Sequence, residues 1–329
     1  METTDLVLGE IRGFMQSRAL LTGTELDVFT ELHREPRTAG GLAGALHVDQ
    51  RGLTRVLDVL TTLGYLRKRS DGVYEVTEKG VVLSSRAEES VLPMAQHLNE
   101  VWKSWSNLTE TVKQGQNPEL TPVTERGEES CRAFIGAMHV VARELAGQIA
   151  SEYDASGFSR LLDIGGASGT YTAELLRRNP GLRGIIFDLP KVVPYAEERM
   201  RQERLLDRVE VVGGDFYKDP LPGGCDLALL SAIIHQNSPE ENVELYRKVR
   251  DALQPGGVLL IRDHIMSEDR LRPPAGAMFA LNMLVNTSGG DTYTLSEVRE
   301  QLHRAGFGDV CLVRSGESMD CLVQAQKGS

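Results

Sequence analysis

Residues 161–169 read Leu-Leu-Asp-Ile-Gly-Gly-Ala-Ser-Gly, an apolar run followed at once by a glycine-rich segment. A short apolar run of this kind is typical of a buried strand, and an amphipathic helical pattern begins near Thr170. Glycine tolerates positive φ angles and lets the backbone approach a ligand closely. The stretch therefore predicts a strand, a tight turn and a helix, with a ligand held at the turn.

The sequence after this stretch alternates short β runs with amphipathic helices. The β runs include GIIFDLP, VEVVGGDF, CDLALLSAIIH and GGVLLIRDHI. Alternation of strand and helix indicates a parallel sheet with helices on both faces. We therefore predict a Rossmann-like α/β domain over residues 151–329, with its binding site at the carboxyl ends of the strands.

Polar side chains at three successive strand ends predict the ligand. Ala167 stands two positions after Gly165, so the Gly-x-Gly-x-x-Gly signature of nicotinamide dinucleotide sites is not matched. Asp163 suits the ammonium group of a methionine moiety, and Asp188 suits two ribose hydroxyls. Asp215 suits the adenine amino group, with an aromatic ring beside it. These features predict that the chain binds S-adenosylmethionine and its product S-adenosylhomocysteine. The predicted cofactor residues are Asp163, Gly165, Gly166, Gly169, Asp188, Leu189, Asp215, Phe216 and Ser231.

Several short motifs together resemble one enzyme family. They are LLDIGGASGT, FDLP, GGDF, the helix before QPGG, and the late RAGF. The set resembles the plant-type, caffeate- and acetylserotonin-like O-methyltransferases in their bacterial small-molecule branch, over nearly the whole chain. The resemblance implies a class I methyltransferase domain behind an N-terminal winged-helix domain that dimerises. It also leaves open C-methylation, or a relative that keeps S-adenosylmethionine without transferring its methyl group.

The resemblance implies a general base and its supporting carboxylates. The family carries a histidine after the fourth strand, commonly within His-Asp-Trp, and the matching residue is His235, followed here by Gln236 and Asn237. An imidazole can take a proton from a hydroxyl near neutral pH. The family's carboxylates match Asp263 and, less closely, Asp291, either of which can orient the imidazole. His264 is expected to point to the opposite face if the strand continues.

The acceptor pocket is also assigned from the resemblance. Apolar and amide side chains near the site are expected to hold a flat apolar ring, although methionines at helical spacing also suit a plain core. The predicted acceptor residues are Trp102, Met138, Met278, Met283 and Asn286. We expect a phenolic hydroxyl on a small aromatic or polycyclic metabolite as the acceptor, without a metal ion.

Residues 1–90 predict helices followed by a β-hairpin, the order of a winged-helix domain. Leu53, Val56, Leu57 and Leu60 form one apolar helix face after Asp49, a plausible N-cap. Winged helices often bind DNA, so a transcriptional regulator is the alternative from another class. This region has 11 Lys and Arg against 14 Asp and Glu, a poor surface for phosphates. We therefore expect a homodimer formed by this domain, with no nucleic acid partner.

Composition limits the remaining possibilities. The chain has 329 residues, a formal net charge of −11 and four cysteines without zinc-type spacing. No uncharged run is long enough to cross a membrane, and the first residues lack the pattern of a signal peptide. We expect a cytoplasmic protein with domains at 1–90 and 151–329, and a helical region at 91–150 that contributes to the acceptor pocket.

Overall fold

A computed structural model describes residues 3–120 and 127–328 of the chain, without the side chains of residues 128–130. The chain divides into two units. The first lies within residues 1–103 and 128–140, and the second lies within residues 104–127 and 141–329.

The first unit is mainly helical and carries a small antiparallel sheet of order β1-β3-β2. Its elements are α1 (Thr3–Glu25), α2 (Val28–Arg34), β1 (Arg37–Thr38), α3 (Ala39–Leu46), α4 (Gln50–Thr62), β2 (Leu66–Lys68), β3 (Val73–Val76), α5 (Glu78–Val81) and most of α6 (Leu92–Ser106). Residues 128–140 of α8 (Glu128–Glu152) also belong to this unit.

Local sequence signals explain the last elements of this unit. Asp49 caps α4 by accepting a hydrogen bond from the Gly52 N–H at 2.7 Å, as predicted. The predicted apolar face of α4 packs into the core of the unit, with Leu57 and Leu60 fully buried. Gly72 adopts a φ of +82° in the turn between β2 and β3, which confirms the predicted hairpin.

The second unit is built on a seven-stranded sheet of order β11-β12-β8-β7-β4-β5-β6. Its strands are β4 (Arg160–Ile164), β5 (Arg183–Asp188), β6 (Val209–Gly213), β7 (Cys225–Ser231), β8 (Leu253–Asp263), β11 (Phe307–Arg314) and β12 (Cys321–Lys327). Its helices are α7 (Leu108–Gln114), the second part of α8, α9 (Thr170–Arg178), α10 (Val193–Gln202), α11 (Pro239–Ala252), α12 (Pro274–Asn286) and α13 (Leu295–Arg304). A separate parallel pair joins β9 (Ile265–Met266) to β10 (Tyr293–Thr294).

Strands β4 to β8 run parallel to one another, as the alternation of strand and helix predicts. The C-terminal strands differ, because β12 runs antiparallel to both β8 and β11. The sheet is buried on both faces, which explains its continuous apolar runs. Leu161 belongs to one apolar cluster and Leu162 to the other, since alternate residues of a strand face opposite sides.

The region between the predicted domains is less regular than the sequence suggests. Helices α6, α7 and α8 occupy most of residues 91–150, but residues 115–120 lie outside any helix, so the prediction of helix throughout is wrong there. Gly115 ends α7 with a φ of +78°. Residues 121–126 of this region lie outside the described residues. Among the helices described, we find none with the length and apolarity that a bilayer span requires.

Candidate active site

The glycine-rich turn after β4 is packed closely against its neighbours. Gly165 and Gly169 both adopt positive φ angles, +69° and +74°. A Cβ atom at Gly165 would lie 2.6 Å from Ile233 Cδ1, and one at Gly169 would lie 2.5 Å from Ile186 Cδ1. A Cβ atom at Gly166 would lie 2.8 Å from the Asp163 carboxyl carbon. The turn therefore requires glycine for both conformation and space.

Asp163, the residue before the last one of β4, is a buried carboxylate with one oxygen satisfied. Its Oδ2 accepts a hydrogen bond from the Thr172 hydroxyl at 2.7 Å, while Oδ1 is buried without a hydrogen-bond partner among the described residues. Burial raises the pKa of Asp163 to about 6, the Thr172 bond partly offsets this, and the Asp188 carboxylate adds to the rise. An ammonium group at Oδ1 would satisfy the acceptor and favour the charged form.

Asp188 ends β5 beside the same turn. Its Oδ2 accepts the Ala167 N–H at 2.8 Å, and its Oδ1 accepts the Leu189 N–H at 2.7 Å. Burial raises the pKa of Asp188 despite these two bonds. Each carboxylate oxygen can accept a further hydrogen bond, so the group is oriented and still able to receive two ribose hydroxyls.

The loop after β6, residues 214–218, carries the third predicted carboxylate; we call it the β6 loop. Asp215 accepts the Tyr217 N–H at 2.9 Å and lies 3.0 Å from Lys218 Nζ. Burial acts to raise the pKa of Asp215, but the Lys218 and Tyr217 bonds outweigh it and the pKa is lowered. The Phe216 ring lies 4.5 Å from the Tyr217 ring, and its edge would contact a Cβ at Gly165 at 3.5 Å. The β6 loop and the glycine turn are therefore adjacent.

Ser231 ends β7 and is fixed by a residue that the sequence analysis missed. The Arg262 Nε donates to Ser231 Oγ at 3.0 Å, and the guanidinium lies over the Tyr171 ring at 5.2 Å from its centroid. Arg262 also donates to the Met319 carbonyl at 2.8 Å. In the sequence, only the position of Arg262 next to Asp263 indicates that this arginine lies near the site.

His235 lies in a short 3-10 helix, Ile234–Gln236, which we call the histidine turn. Its Nδ1 lies 2.9 Å from both carboxylate oxygens of Asp263. Burial acts to raise the pKa of Asp263, but the His235 imidazole outweighs it and the pKa is lowered. An ionised carboxylate only accepts hydrogen bonds, so Nδ1 carries the proton and Nε2 keeps a free electron pair in the neutral ring.

Asp291 and His264 differ from their predicted arrangements. The Asp291 carboxylate accepts from Arg270 Nη1 at 3.0 Å, so it pairs with this guanidinium while Asp263 holds the imidazole. Asp291 reaches His235 through its backbone instead, where its N–H donates to the His235 carbonyl at 2.9 Å. Strand β8 ends at Asp263, so the alternation expected for His264 stops there. The His264 and His235 rings both contact the Phe279 ring, with centroids 5.2 Å and 4.9 Å from its centroid.

Helix α12 carries three of the predicted acceptor residues. Met283 is buried, Met278 is 57% exposed, and Asn286 Nδ2 donates to Asn282 Oδ1 at 3.0 Å. Asn282 also accepts from Trp105 Nε1 at 2.8 Å. Sequence reasoning did not single out Phe279 and Asn282, because apolar and amide residues on a mostly apolar helix carry no functional signal of their own.

Trp102 and Met138 belong to the first unit. Trp102 packs against the core of that unit, with the Arg18 guanidinium 5.7 Å from its ring centroid. That Trp102 and Met138 contact the methyl acceptor stays a prediction. Among the described residues, no three histidine, cysteine or carboxylate side chains form a group that could hold a metal ion.

Comparison with known proteins gives the family. A family model described as an O-methyltransferase domain matches residues 105–308, and one described as an O-methyltransferase dimerisation domain matches residues 9–86. The chain is 32% identical to the tetracenomycin polyketide synthesis 8-O-methyl transferase TcmO of Streptomyces glaucescens, over 90% of this chain and 89% of that protein. It is 31% identical to the 3-hydroxy-5-methyl-1-naphthoate 3-O-methyltransferase of Streptomyces sahachiroi, over 92% and 89%.

Solved structures agree with this assignment. The structure of human N-acetylserotonin methyltransferase in complex with SAM matches with a TM-score of 0.86 and 26% identity, over 100% of this chain and 99% of that one. The predicted cofactor, S-adenosylmethionine, fits the buried Asp163 oxygen that lacks a hydrogen-bond partner among the described residues. The chain therefore belongs to the O-methyltransferase family, with an N-terminal dimerisation domain, and is an S-adenosylmethionine-dependent O-methyltransferase.

Proposed function

We propose that this enzyme methylates a phenolic hydroxyl of a small aromatic or polycyclic metabolite, with His235 as the general base. The observation that carries the proposal is the contact of His235 Nδ1 with both oxygens of Asp263, each at 2.9 Å. The contact fixes the ring and its tautomer, and so leaves Nε2 as the nitrogen that accepts a proton.

The cofactor is held by residues at the ends of β4, β5 and β6. Asp163 binds the ammonium group through its unsatisfied oxygen, and Asp188 binds the ribose. Asp215 and Phe216 hold the adenine from the β6 loop. Bound S-adenosylmethionine supplies an electrophilic methyl group. The chain's own task is to align the acceptor with that group and to exclude water.

Proton removal from the acceptor sets the substrate class. The Nε2 atom of His235 takes the hydroxyl proton, and the ionised Asp263 stabilises the resulting imidazolium. A phenol, with a pKa of about 10, is within reach of an imidazole base, whereas an aliphatic alcohol is a far weaker acid. Phe279, in edge contact with His235, offers an apolar surface for an aromatic ring next to this base. The two Streptomyces relatives, named for a polyketide and a naphthoate, support the same class.

Product analysis tests this proposal. The protein is incubated with S-adenosylmethionine carrying a 13C-labelled methyl group and with hydroxylated naphthoates, including 3-hydroxy-5-methyl-1-naphthoate, and matched non-phenolic alcohols. We expect a labelled methoxy carbon by NMR on a phenol and no product from the alcohols. A labelled carbon bonded to ring carbon would establish C-methylation instead. S-adenosylhomocysteine binding without transfer to any phenol would favour a non-methylating role.

We propose further that the dimerisation domain forms a homodimer through α1 and does not bind DNA. Ile11 and Phe14 are 62% and 53% exposed in the single chain, together with Met15 and Leu6. An exposed helix with this many large apolar side chains is stabilised by packing against another protein surface. A second copy of the chain is the partner that the dimerisation domain supports.

A further inference from the structure

Asn237, which follows the histidine turn, is fully buried and is hydrogen-bonded through both side-chain polar atoms. Its Oδ1 accepts from the Tyr217 hydroxyl, and its Nδ2 donates to Asn242 Oδ1 at 3.0 Å. Its backbone carbonyl accepts from the Tyr293 hydroxyl. A buried amide satisfied on both sides favours one arrangement of its neighbours, because any other arrangement leaves a polar atom unpaired.

One partner of Asn237, and the segment that carries a second partner, also hold the histidine turn. Asn242, buried on α11, uses its Nδ2 to donate to the Ile234 carbonyl at 3.0 Å. Asp291, two residues before Tyr293, donates its N–H to the His235 carbonyl at 2.9 Å. The turn is therefore anchored at its backbone on both sides of the imidazole, and Asn237 connects the two anchors.

The third partner, Tyr217, connects this network to the β6 loop. Its N–H donates to Asp215 Oδ1 at 2.9 Å, and its ring lies 4.5 Å from the Phe216 ring. Asp215 and Phe216 are the two residues proposed to hold the adenine. Tyr217 thus connects the residues proposed to hold the adenine with Asn237, which lies next to the turn that carries the proposed general base.

We propose that Asn237 is a positioning residue through which adenine binding at the β6 loop steadies the turn that carries His235. The inference rests on the proposed function, which supplies the adenine site and the role of His235. Ordering Asp215 and Phe216 around a ligand restricts Tyr217, and the Tyr217 hydroxyl passes that restriction to Asn237. The base is then held in place when the cofactor is present.

Hydrogen–deuterium exchange with and without S-adenosylhomocysteine tests the coupling directly, and no acceptor is needed. The variant is Tyr217→Phe, which keeps the ring against Phe216 and removes only the hydroxyl. The matched control is Tyr153→Phe, which removes a hydroxyl that donates to Gln324 Oε1 at 3.1 Å, on β12. Two segments are followed, residues 163–170 at the glycine turn and residues 232–242 around the histidine turn.

In the wild type and in Tyr153→Phe, we expect S-adenosylhomocysteine to slow exchange in both segments. In Tyr217→Phe, we expect the slowing at 232–242 to shrink by about threefold to tenfold, the range for loss of one neutral hydrogen bond, while 163–170 stays protected. Full slowing at 232–242 in Tyr217→Phe would overturn the proposal.

A merely structural role for the Tyr217 hydroxyl gives a different result. Exchange at 232–242 would then rise equally with and without ligand in Tyr217→Phe, and this result also overturns the coupling. If the wild type shows no protection at 163–170, the cofactor site itself is misplaced and the coupling fails with it. The segment that changes therefore distinguishes failure of the inference from failure of the proposed function.

Discussion

Three carboxylates at strand ends differ in their pKa because their surroundings differ. Burial raises the pKa of Asp163 and Asp188, which have backbone or hydroxyl donors as their hydrogen-bond partners. Asp263 is as buried as Asp163, yet the His235 imidazole lowers its pKa. A ligand group that donates hydrogen bonds or carries positive charge would favour the ionised form of the first two, as the His235 imidazole does for Asp263.

The raised pKa of Asp163 predicts pH-dependent cofactor binding. Below a pH of about 6 this carboxyl is protonated in the free protein and must release its proton to pair with an ammonium group. We therefore expect S-adenosylhomocysteine to bind roughly tenfold more weakly at pH 5 than at pH 7, with proton release on binding at the lower pH. Asp188, whose pKa is also raised, acts in the same direction.

Calorimetry in buffers of different ionisation enthalpy measures both the affinity and the released protons. Asp163→Asn keeps an oxygen for the Thr172 hydroxyl but has no proton to release. The affinity of the Asp163→Asn variant for S-adenosylhomocysteine is expected to be lower than that of the wild type at pH 7 and to depend less on pH. A pH dependence as steep as in the wild type would show that Asp163 is not the group that titrates.

His235 and Asp263 are expected to contribute unequally to turnover. His235→Ala removes the base and is expected to lower methyl transfer by about two to four orders of magnitude at neutral pH. Asp263→Asn is expected to lower it by only about tenfold to a hundredfold, because a charge-assisted hydrogen bond becomes a neutral one. The His264 N–H donates to Asp263 Oδ1 at 2.8 Å, which keeps an oxygen rather than an amide nitrogen at that position in the variant.

Single-turnover methyl transfer to a phenol, followed against pH, checks this prediction. S-adenosylhomocysteine affinity serves as the control and is expected to stay within about twofold in both variants, because neither side chain is assigned to the cofactor. Near-normal transfer by His235→Ala would contradict general-base catalysis, and a larger loss in Asp263→Asn than in His235→Ala would contradict the assigned order.

At the scale of elements, the helix after the histidine turn depends on a reciprocal cap. Ser238 accepts the Glu241 N–H at 3.3 Å, and the Glu241 carboxylate accepts the Ser238 N–H at 2.7 Å. Ser238→Ala is expected to destabilise the protein by about 1 kcal/mol. Thermal unfolding is expected to shift down by about 2–4 °C, while Glu240→Gln, in the same turn but outside the cap, leaves it unchanged. An unchanged unfolding midpoint for Ser238→Ala would show that this cap does not stabilise α11.

The sequence predicts those elements whose signals are local. The apolar face of α4 and its Asp49 cap, the hairpin at Gly72 and the glycine turn after β4 all follow from a few neighbouring residues. The polar strand ends meet because carboxyl ends of parallel strands share one edge of a sheet. The proposed cofactor site could therefore be outlined before the structure.

Features that depend on distant pairing could not be predicted in this way. An alternating or apolar strand pattern does not reveal its neighbour's direction, so the antiparallel placement of β12 was missed. Asp291 and Asp263 are both plausible partners of an imidazole by residue type, and only the fold shows that Arg270 takes the first. Asn237 is a small amide in the sequence, and its importance comes from partners 5, 20 and 56 positions away.

At the scale of the whole molecule, the exposed apolar side chains of α1 predict a concentration-dependent homodimer. Sedimentation of the wild type is expected to give a dimer, and Phe14→Asp is expected to shift it toward monomer by placing a charge in an apolar contact. The matched control is Val313→Asp, which adds the same charge at a 45% exposed valine on strand β11 and is expected to leave the dimer intact.

Two other results would change this account. A wild-type monomer would contradict the role assigned to the dimerisation domain. Tight, salt-sensitive binding to duplex DNA would support the regulator alternative, which the formal net charge of −11 disfavours.

The pairing of β8 with the distant strand β12 has a consequence for the protein while it is being synthesised. Strand β8, which ends at Asp263, pairs on one side with β7 and on the other with β12, whose last residue is 64 positions later. At a translation rate of about 5–20 residues per second, roughly 3 to 13 s separate the two. During this interval one edge of β8 lacks its partner, and unpaired strand edges promote association between chains. The nascent chain is thus exposed to aggregation after its glycine turn has been synthesised and before its sheet is complete.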